Sequence, residues 1–413
     1  MTAAATPSWI DSVLRQLTPR RLRAQAIVLA ICLWCVCAVD FATSGPFDRA
    51  GNIKFQDFLP VYVASRLMVE HRSPAIYNPQ LQEIEKQFFQ KPDHVRLPFL
   101  YPPQVAWLFR PLTALRFFLA AFTWAVASML IYFLCVYAIW KNCPNLSSCG
   151  ELVLLAALAF PPLFHCFIRG QLSALLIAIF TAAYLAFQSR RPFLGGMALG
   201  LLAIKPQFLL AIPLVFLLAR AWKPFLGLAV STLTQLLLVR FLLGEEILRA
   251  WFSLLNHPTQ WISTAELELA PIQMHSLRSF WALLLPWSTG AFAAYALTAI
   301  LAIAIAAAIW KSAASLALRF SALTLCAVLV NPHLFVYDLL VLAPALLLLL
   351  DWTLLNPGRS STTRLRLLLY LAFILPLFGP ISRWTHIQLS VIAFAAILWT
   401  LTKLPSVADT QST

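Results

Sequence analysis

The chain has 413 residues, of which 61% are apolar and 11% charged, against about 45–50% and about 25% in soluble domains. With no polar block long enough for a separate domain, that balance excludes a soluble enzyme and points to an all-α, polytopic membrane protein. The net charge of +14 does not imply nucleic acid as a partner: the cations sit at the ends of apolar runs, where anionic headgroups of the lipid bilayer suffice to hold them.

A transmembrane helix needs about 20 mostly apolar residues, and each Lys, Arg or Asp at its centre costs about 2.5–3.5 kcal/mol. By that criterion the chain holds about twelve spans. They are Ala24–Phe41, Phe117–Trp140, Leu152–Ile168, Leu172–Phe187, Phe193–Ile204, Phe208–Trp222, Pro224–Leu243, Thr289–Trp310, Ser312–Val330, Phe335–Leu350, Leu367–Leu377 and Ile387–Leu401. The fifth and eleventh are short and need tilt or a neighbour.

Basic loops orient the bundle. Arg15, Arg20, Arg21 and Arg23 precede the first span, and Lys141, Arg190, Arg191, Arg220, Lys223, Lys311, Arg359, Arg364, Arg366 and Lys403 fall on the same side if the spans alternate. That side is expected to be the cytoplasm, in a plasma (inner) membrane. The long loops Thr43–Arg116 and Gly244–Ser288 then face outward, and residues 1–403 form one integral domain followed by a short cytoplasmic tail, 404–413. Ala24–Phe41 is long for a signal-peptide core and lacks a small-x-small cleavage site, so it is expected to stay as an anchor.

The eight cysteines form no disulfide framework in either long outer loop. Cys32, Cys35 and Cys37 have no His or carboxylate at a spacing that completes a tetrahedral site, and no glycine-rich phosphate loop occurs. Neither a metal nor another cofactor is expected.

The first outer loop carries the densest group of polar and aromatic residues. It runs through Asp57-Phe-Leu-Pro-Val-Tyr62, Tyr77-Asn-Pro79 and Phe99-Leu-Tyr101-Pro-Pro103. Leu59, Tyr62, Val63, Leu67 and Met68 recur at helical spacing, which predicts an amphipathic helix in the membrane interface. Tyr62, Tyr77, Tyr101 and Trp107 suit either a headgroup-level aromatic belt or, with Asp57, a sugar-binding wall. Asp40, near the end of the first span, is a rival carboxylate or the partner of a neighbouring cation.

Two outward turns carry cations, His165-Cys-Phe-Ile-Arg169-Gly-Gln171 and Ala203-Ile-Lys205-Pro206-Gln207. A cation between apolar spans is costly unless paired or placed in a wet cavity, so Arg169 and Lys205 either hold an anion such as a lipid phosphate or snorkel to the interface. A third group, Asn331-Pro-His333-Leu-Phe-Val-Tyr337-Asp338, begins a later span. Asp338 there either caps the helix or joins His333 in a site.

Taken in order, Asp57-Phe58 with Tyr62-x-Ala64, Tyr77-Asn-Pro79, Tyr101-Pro-Pro103, Gly170-Gln171 and Gly200-x-x-x-x-Lys205-Pro206 resemble glycosyltransferase family 87 over roughly Asp57 to Trp222. This is the polyprenyl-phosphate-sugar-dependent mannosyltransferase group of the GT-C superfamily. After Gly244 the likeness rests on the spans and on Asn331-Pro-His333 with Tyr337-Asp338. Ser173 stands where many relatives carry Asn.

The resemblance implies a GT-C-type helical bundle with a structured first outer loop. Its activity would move a hexose, mannose above all, from a polyprenyl-phosphate donor to a hydroxyl of a glycan or glycolipid, with inversion. Asp57 maps onto the family's general base. Arg169 and Lys205 would bind the donor phosphate, and Tyr62, Tyr77, Tyr101, Gln171, His333 and Asp338 would line the substrate site. One carboxylate and positioned cations meet the needs of glycosyl transfer, because a monophosphate leaving group carries less charge than a nucleotide diphosphate. A lipid or solute transporter is the alternative class, though no internal repeat supports it. An O-antigen ligase or polymerase is another, pointed to by Arg249, His257, His275 and Arg278 in the second long loop.

Overall fold

The computed structural model describes residues 14–70, 76–77, 99–256, 271–357 and 359–404. Asn78, Pro79, His257 and the tail beyond 404 lie outside them. Within the described residues every named element is helical, and the only extended pairings are isolated bridges, Phe47 with Ile53 and Met274 with Phe335.

The first span, α1 (Pro19–Phe41), begins earlier than Ala24. Thr18 caps it, its hydroxyl accepting from the Arg21 amide at 3.3 Å, and Pro19 occupies the first turn where its missing N–H costs nothing. Next come α2 (Leu59–Val69), α3 (Pro103–Phe109) and the long α4 (Phe117–Trp140). Expected in the membrane interface, α2 is instead buried on nearly all sides, Leu59 through Ser65 with Leu67 and Met68. Tyr62 of the apolar stripe and Ser65 of the other face both turn their hydroxyls into the protein, donating to the carbonyls of Leu115 and Val61 at 2.7 Å each. Those bonds let the helix pack inward.

The expected single span Leu152–Ile168 is two helices, α5 (Gly150–Leu158) and α6 (Pro161–Arg169), bent by 46°. Pro161 and Pro162 bring no amide hydrogens to continue the ladder, so the helix stops and restarts. Further along lie α7 (Ser173–Gln188), α8 (Pro192–Gly200), α9 (Ile212–Leu218) and α10 (Trp222–Leu243). The backbones of α8 and α10 touch: a Cβ on Gly196 would fall 2.0 Å from the Pro224 carbonyl oxygen, and one on Gly200 2.5 Å from Ser231 Cβ. Small residues at that seam allow the close approach.

The segment expected as a long loop after Gly244 contains α11 (Glu245–Asn256) and α12 (Leu277–Leu284). Ile247, Trp251 and Leu254 of α11 pack onto the first-loop helices, and the Trp251 indole donates to the Leu100 carbonyl at 3.3 Å. The chain closes with α13 (Ser288–Lys311), α14 (Leu316–Val330), α15 (Leu342–Leu355), α16 (Ser360–Ile374) and α17 (Leu389–Leu401). Arg364 and Arg366 lie inside α16 and not in a loop, and Arg366 is held by the Thr353 carbonyl at 2.7 Å.

Among the described residues six helices are long and apolar enough to cross a membrane, and the α5–α6 pair makes a seventh when counted as one bent span. The expectation of about twelve spans also counts shorter apolar helices, such as α7, α14 and α17, as crossings. In α1 only 17% of the apolar window is buried in protein, against 61% for the stretch ending in α15, so α1 is peripheral and α15 central.

Candidate functional site

Four turns far apart in sequence meet at one end of the bundle. Asp57 lies in a single 3-10 turn, Gln56–Phe58, which starts from Phe55 in the left-handed conformation. Gln171 follows the end of α6. There Gly170 takes φ +68°, its amide donates to the Phe167 carbonyl at 3.1 Å, and the Gln171 amide reaches back to the Cys166 carbonyl at 3.0 Å. This paired turn terminates the helix and fixes the direction in which Gln171 leaves it. Gly170 is needed twice over, since a Cβ there would also stand 2.9 Å from Phe58 Cβ in the Asp57 turn.

Lys205 is placed by the end of α8. The helix tightens to a 3-10 turn over Leu201–Ile204, and Pro206 keeps Lys205 out of the helical region, at φ −141° and ψ 74°. Gln235 of α10 donates to the Gly200 carbonyl at 2.9 Å where the ladder changes. Asp338 arrives from a 3-10 turn, Val336–Val341, that precedes α15. Upstream, the Asn331 side chain accepts from the His333 amide at 2.9 Å, and the Leu334 carbonyl accepts from the His275 amide at 2.8 Å.

Two hydrogen-bonded groups result. In the first, the Gln171 amide nitrogen donates to Asp57 Oδ2 at 2.7 Å, the Tyr101 hydroxyl donates to Gln171 Oε1 at 3.0 Å, and the Tyr77 hydroxyl donates to the Tyr101 carbonyl at 2.7 Å. In the second, Asp338 Oδ1 receives Lys205 Nζ at 2.6 Å and the Ser173 hydroxyl at 2.8 Å. The groups adjoin: Lys205 Nζ stands 5.9 Å from the Tyr101 ring centre and 5.3 Å from that of Tyr337.

Burial pushes the Asp57 carboxyl above its ordinary range. Arg169, the Gln171 hydrogen bond and Lys205 pull it back, and Asp338 opposes them. Arg169 is partly exposed at the end of α6 and has no ion pair or side-chain hydrogen bond among the described residues. Lys205, expected either to hold an anion such as a lipid phosphate or to snorkel, is buried and paired with Asp338. Asp338 does not cap α15, because one oxygen is spent on Lys205 and Ser173 and the other is buried with no partner among the described residues.

The remaining expected residues fall at varied distances from this centre. Tyr62 is not brought to Asp57: it packs edge-on against Phe117 and borders a cleft with Arg66 and Glu70. Tyr77 is buried with its hydroxyl engaged, whereas His333 is exposed, its ring against Phe335, which stacks on Tyr337. Asp40 accepts from the Arg49 amide at 3.1 Å in the turn after α1. Ser173, passed over as a departure from the family pattern, is an Asp338 partner.

Among the described residues of the second long segment, Arg249, His275 and Arg278 do not gather into a site of their own. Arg249 pairs with Glu245 at 2.6 Å, and Arg278 lies 5.5 Å from the Phe292 ring centre. His275, its pKa pushed down to about 3 by burial, bonds Ser390 at 2.7 Å. Among the described residues no group of His, Cys, Asp and Glu is arranged to hold a metal ion.

Residues 99–336 match the family model described as glycosyltransferase family 87. The matched stretch includes Tyr101, Arg169, Gln171 and Lys205, ends just before Asp338 and begins after Asp57. No curated protein and no solved structure matches the chain.

Proposed function

The chain belongs to glycosyltransferase family 87, and on that premise we propose that it transfers a hexose, mannose above all, from a polyprenyl-phosphate carrier to a hydroxyl of a glycan or glycolipid, with inversion. The observation that carries this reading is the gathering of Asp57, bonded to Gln171, and the Lys205–Asp338 pair around Tyr101 at one end of an apolar bundle, with Arg169 at the end of the adjoining α6. A lipid-borne donor and a water-borne acceptor can meet at such an end.

In the proposed reaction Asp57 takes the proton of the acceptor hydroxyl as its oxygen bonds the sugar's anomeric carbon. The bond from that carbon to the phosphate oxygen breaks on the opposite face, and its electron pair leaves with the phosphate. A β-linked donor thereby gives an α-linked product. Arg169 stabilises the departing phosphate, and Lys205 adds its charge from within its pair with Asp338. Of the expected substrate contacts, His333 is exposed for the sugar, while the polar atoms of Tyr62, Tyr77 and Asp338 are turned into the protein. We place this end of the bundle outside the cytoplasm, following the basic loops at the other.

The test uses purified protein in lipid vesicles with a synthetic polyprenyl-phosphate mannose, a panel of hydroxyl acceptors and mass-spectrometric detection of product. Asp57→Asn keeps the size of the side chain but cannot take a proton, and transfer is expected to fall about 100-fold or more. Near-normal turnover by Asp57→Asn would refute the assignment of the base.

A further inference from the structure

Gln171 and Tyr101 were expected to touch substrate, yet their polar side-chain atoms are turned toward the protein. The amide of Gln171 has a defined orientation. Its oxygen accepts from the Leu172 backbone amide at 3.3 Å, a group that can only donate, and from the Tyr101 hydroxyl at 3.0 Å. Its NH2 group is therefore the one that faces Asp57, at 2.7 Å from Oδ2. Tyr101 is held in turn through its carbonyl by the buried Tyr77. Asp57 Oδ1 has no hydrogen-bond partner among the described residues.

We infer that Gln171, oriented by Tyr101, is a positioning residue for Asp57, holding one carboxylate oxygen and leaving the other for the acceptor hydroxyl. The inference rests on the reading of Asp57 as the base. A donor hydrogen bond to a carboxylate also favours its charged form, the form in which it can take a proton. Among the described residues the titratable and charged groups facing Asp57 are Arg169 from α6, Lys205 from the turn after α8, Asp338 and Tyr337 from the turn before α15, and Tyr101. Burial raises the Asp57 pKa and these cations lower it, so loss of the Gln171 donor moves it further up.

The test reads Asp57 directly. pH-difference infrared spectra of purified protein in phosphatidylcholine vesicles are recorded for the natural chain and for Asp57→Asn, whose missing carboxyl band identifies that of Asp57. Gln171→Leu is expected to raise the titration midpoint of this band by about one pH unit. Tyr101→Phe keeps the donor but frees the amide, and shifts the midpoint the same way by less; it also serves if Gln171→Leu does not fold. A midpoint unmoved in whichever of these variants folds overturns the inference. Failure of the base assignment shows separately, as transfer by Asp57→Asn from synthetic polyprenyl-phosphate mannose.

Discussion

Lys205 Nζ lies 2.6 Å from Asp338 Oδ1, with 7% and 0% of the two side chains exposed, and Asp338 Oδ2 has no hydrogen-bond partner among the described residues. Buried pairs of this kind lose about 3–5 kcal/mol when one partner is removed, because the other charge stays behind uncompensated. Lys205→Met is therefore expected to destabilise the protein strongly, as is Asp338→Leu. The double variant should regain much of the loss. Thermal unfolding in detergent of the two single variants and the double variant checks this; additive losses would show that the two residues do not act as a pair.

Arg169 behaves differently, since no carboxylate holds it among the described residues. Arg169→Ala is expected to leave the unfolding temperature nearly unchanged and to raise the donor KM about tenfold or more, with a smaller effect on the acceptor KM. A stable variant with unchanged donor KM would remove Arg169 from the phosphate site.

Gly170 joins the turn that directs Gln171 to the turn that carries Asp57. An alanine there meets a positive φ and a Cβ contact of 2.9 Å with Phe58, so Gly170→Ala is expected to cost more than about 1 kcal/mol and to lower transfer by displacing both side chains. Measuring stability and turnover together checks this. Full activity would mean that the two turns can part without consequence.

The spans were legible because apolar length is a one-dimensional property, and α4, α10 and α13 fall nearly where the pattern puts them. The break at Pro161-Pro162 was visible but masked by unbroken hydrophobicity, and the spacing of Ile247, Trp251 and Leu254 already marks a helix where a loop was expected. Tyr62 shows the opposite limit: an interfacial tyrosine and a buried one with a carbonyl partner look alike in sequence. The Lys205–Asp338 pair spans 133 residues, so each partner could be noticed as an expensive charge but not matched to the other. Ser173 drew notice only as a substitution, since its role depends on that same long-range contact.

Orientation follows from the proposed site and the basic turns at the other end. Gly51 lies in the exposed turn between α1 and α2, and Ser189 at the exposed end of α7 beside Arg190 and Arg191. In a background with the eight native cysteines replaced, a cysteine at position 51 should react with a membrane-impermeant maleimide in intact cells. One at position 189 should react only after lysis. The reverse pattern would put Asp57 on the cytoplasmic side.

The pH dependence of transfer gives the last test, because burial and Asp338 raise the Asp57 pKa more than Arg169, Gln171 and Lys205 lower it. A base must be ionised to act, so activity is full above the raised pKa and is lost as pH falls through it. The acidic limb of kcat/KM is therefore expected above the ordinary aspartate value of about 3.9. Removing a cation takes away stabilisation of the charged form, so Arg169→Ala should move that limb higher still. Asp40→Asn should leave it in place, since Asp40 serves the Arg49 turn. A limb that stays put in Arg169→Ala but moves in Asp40→Asn would transfer the role of base from Asp57 to Asp40.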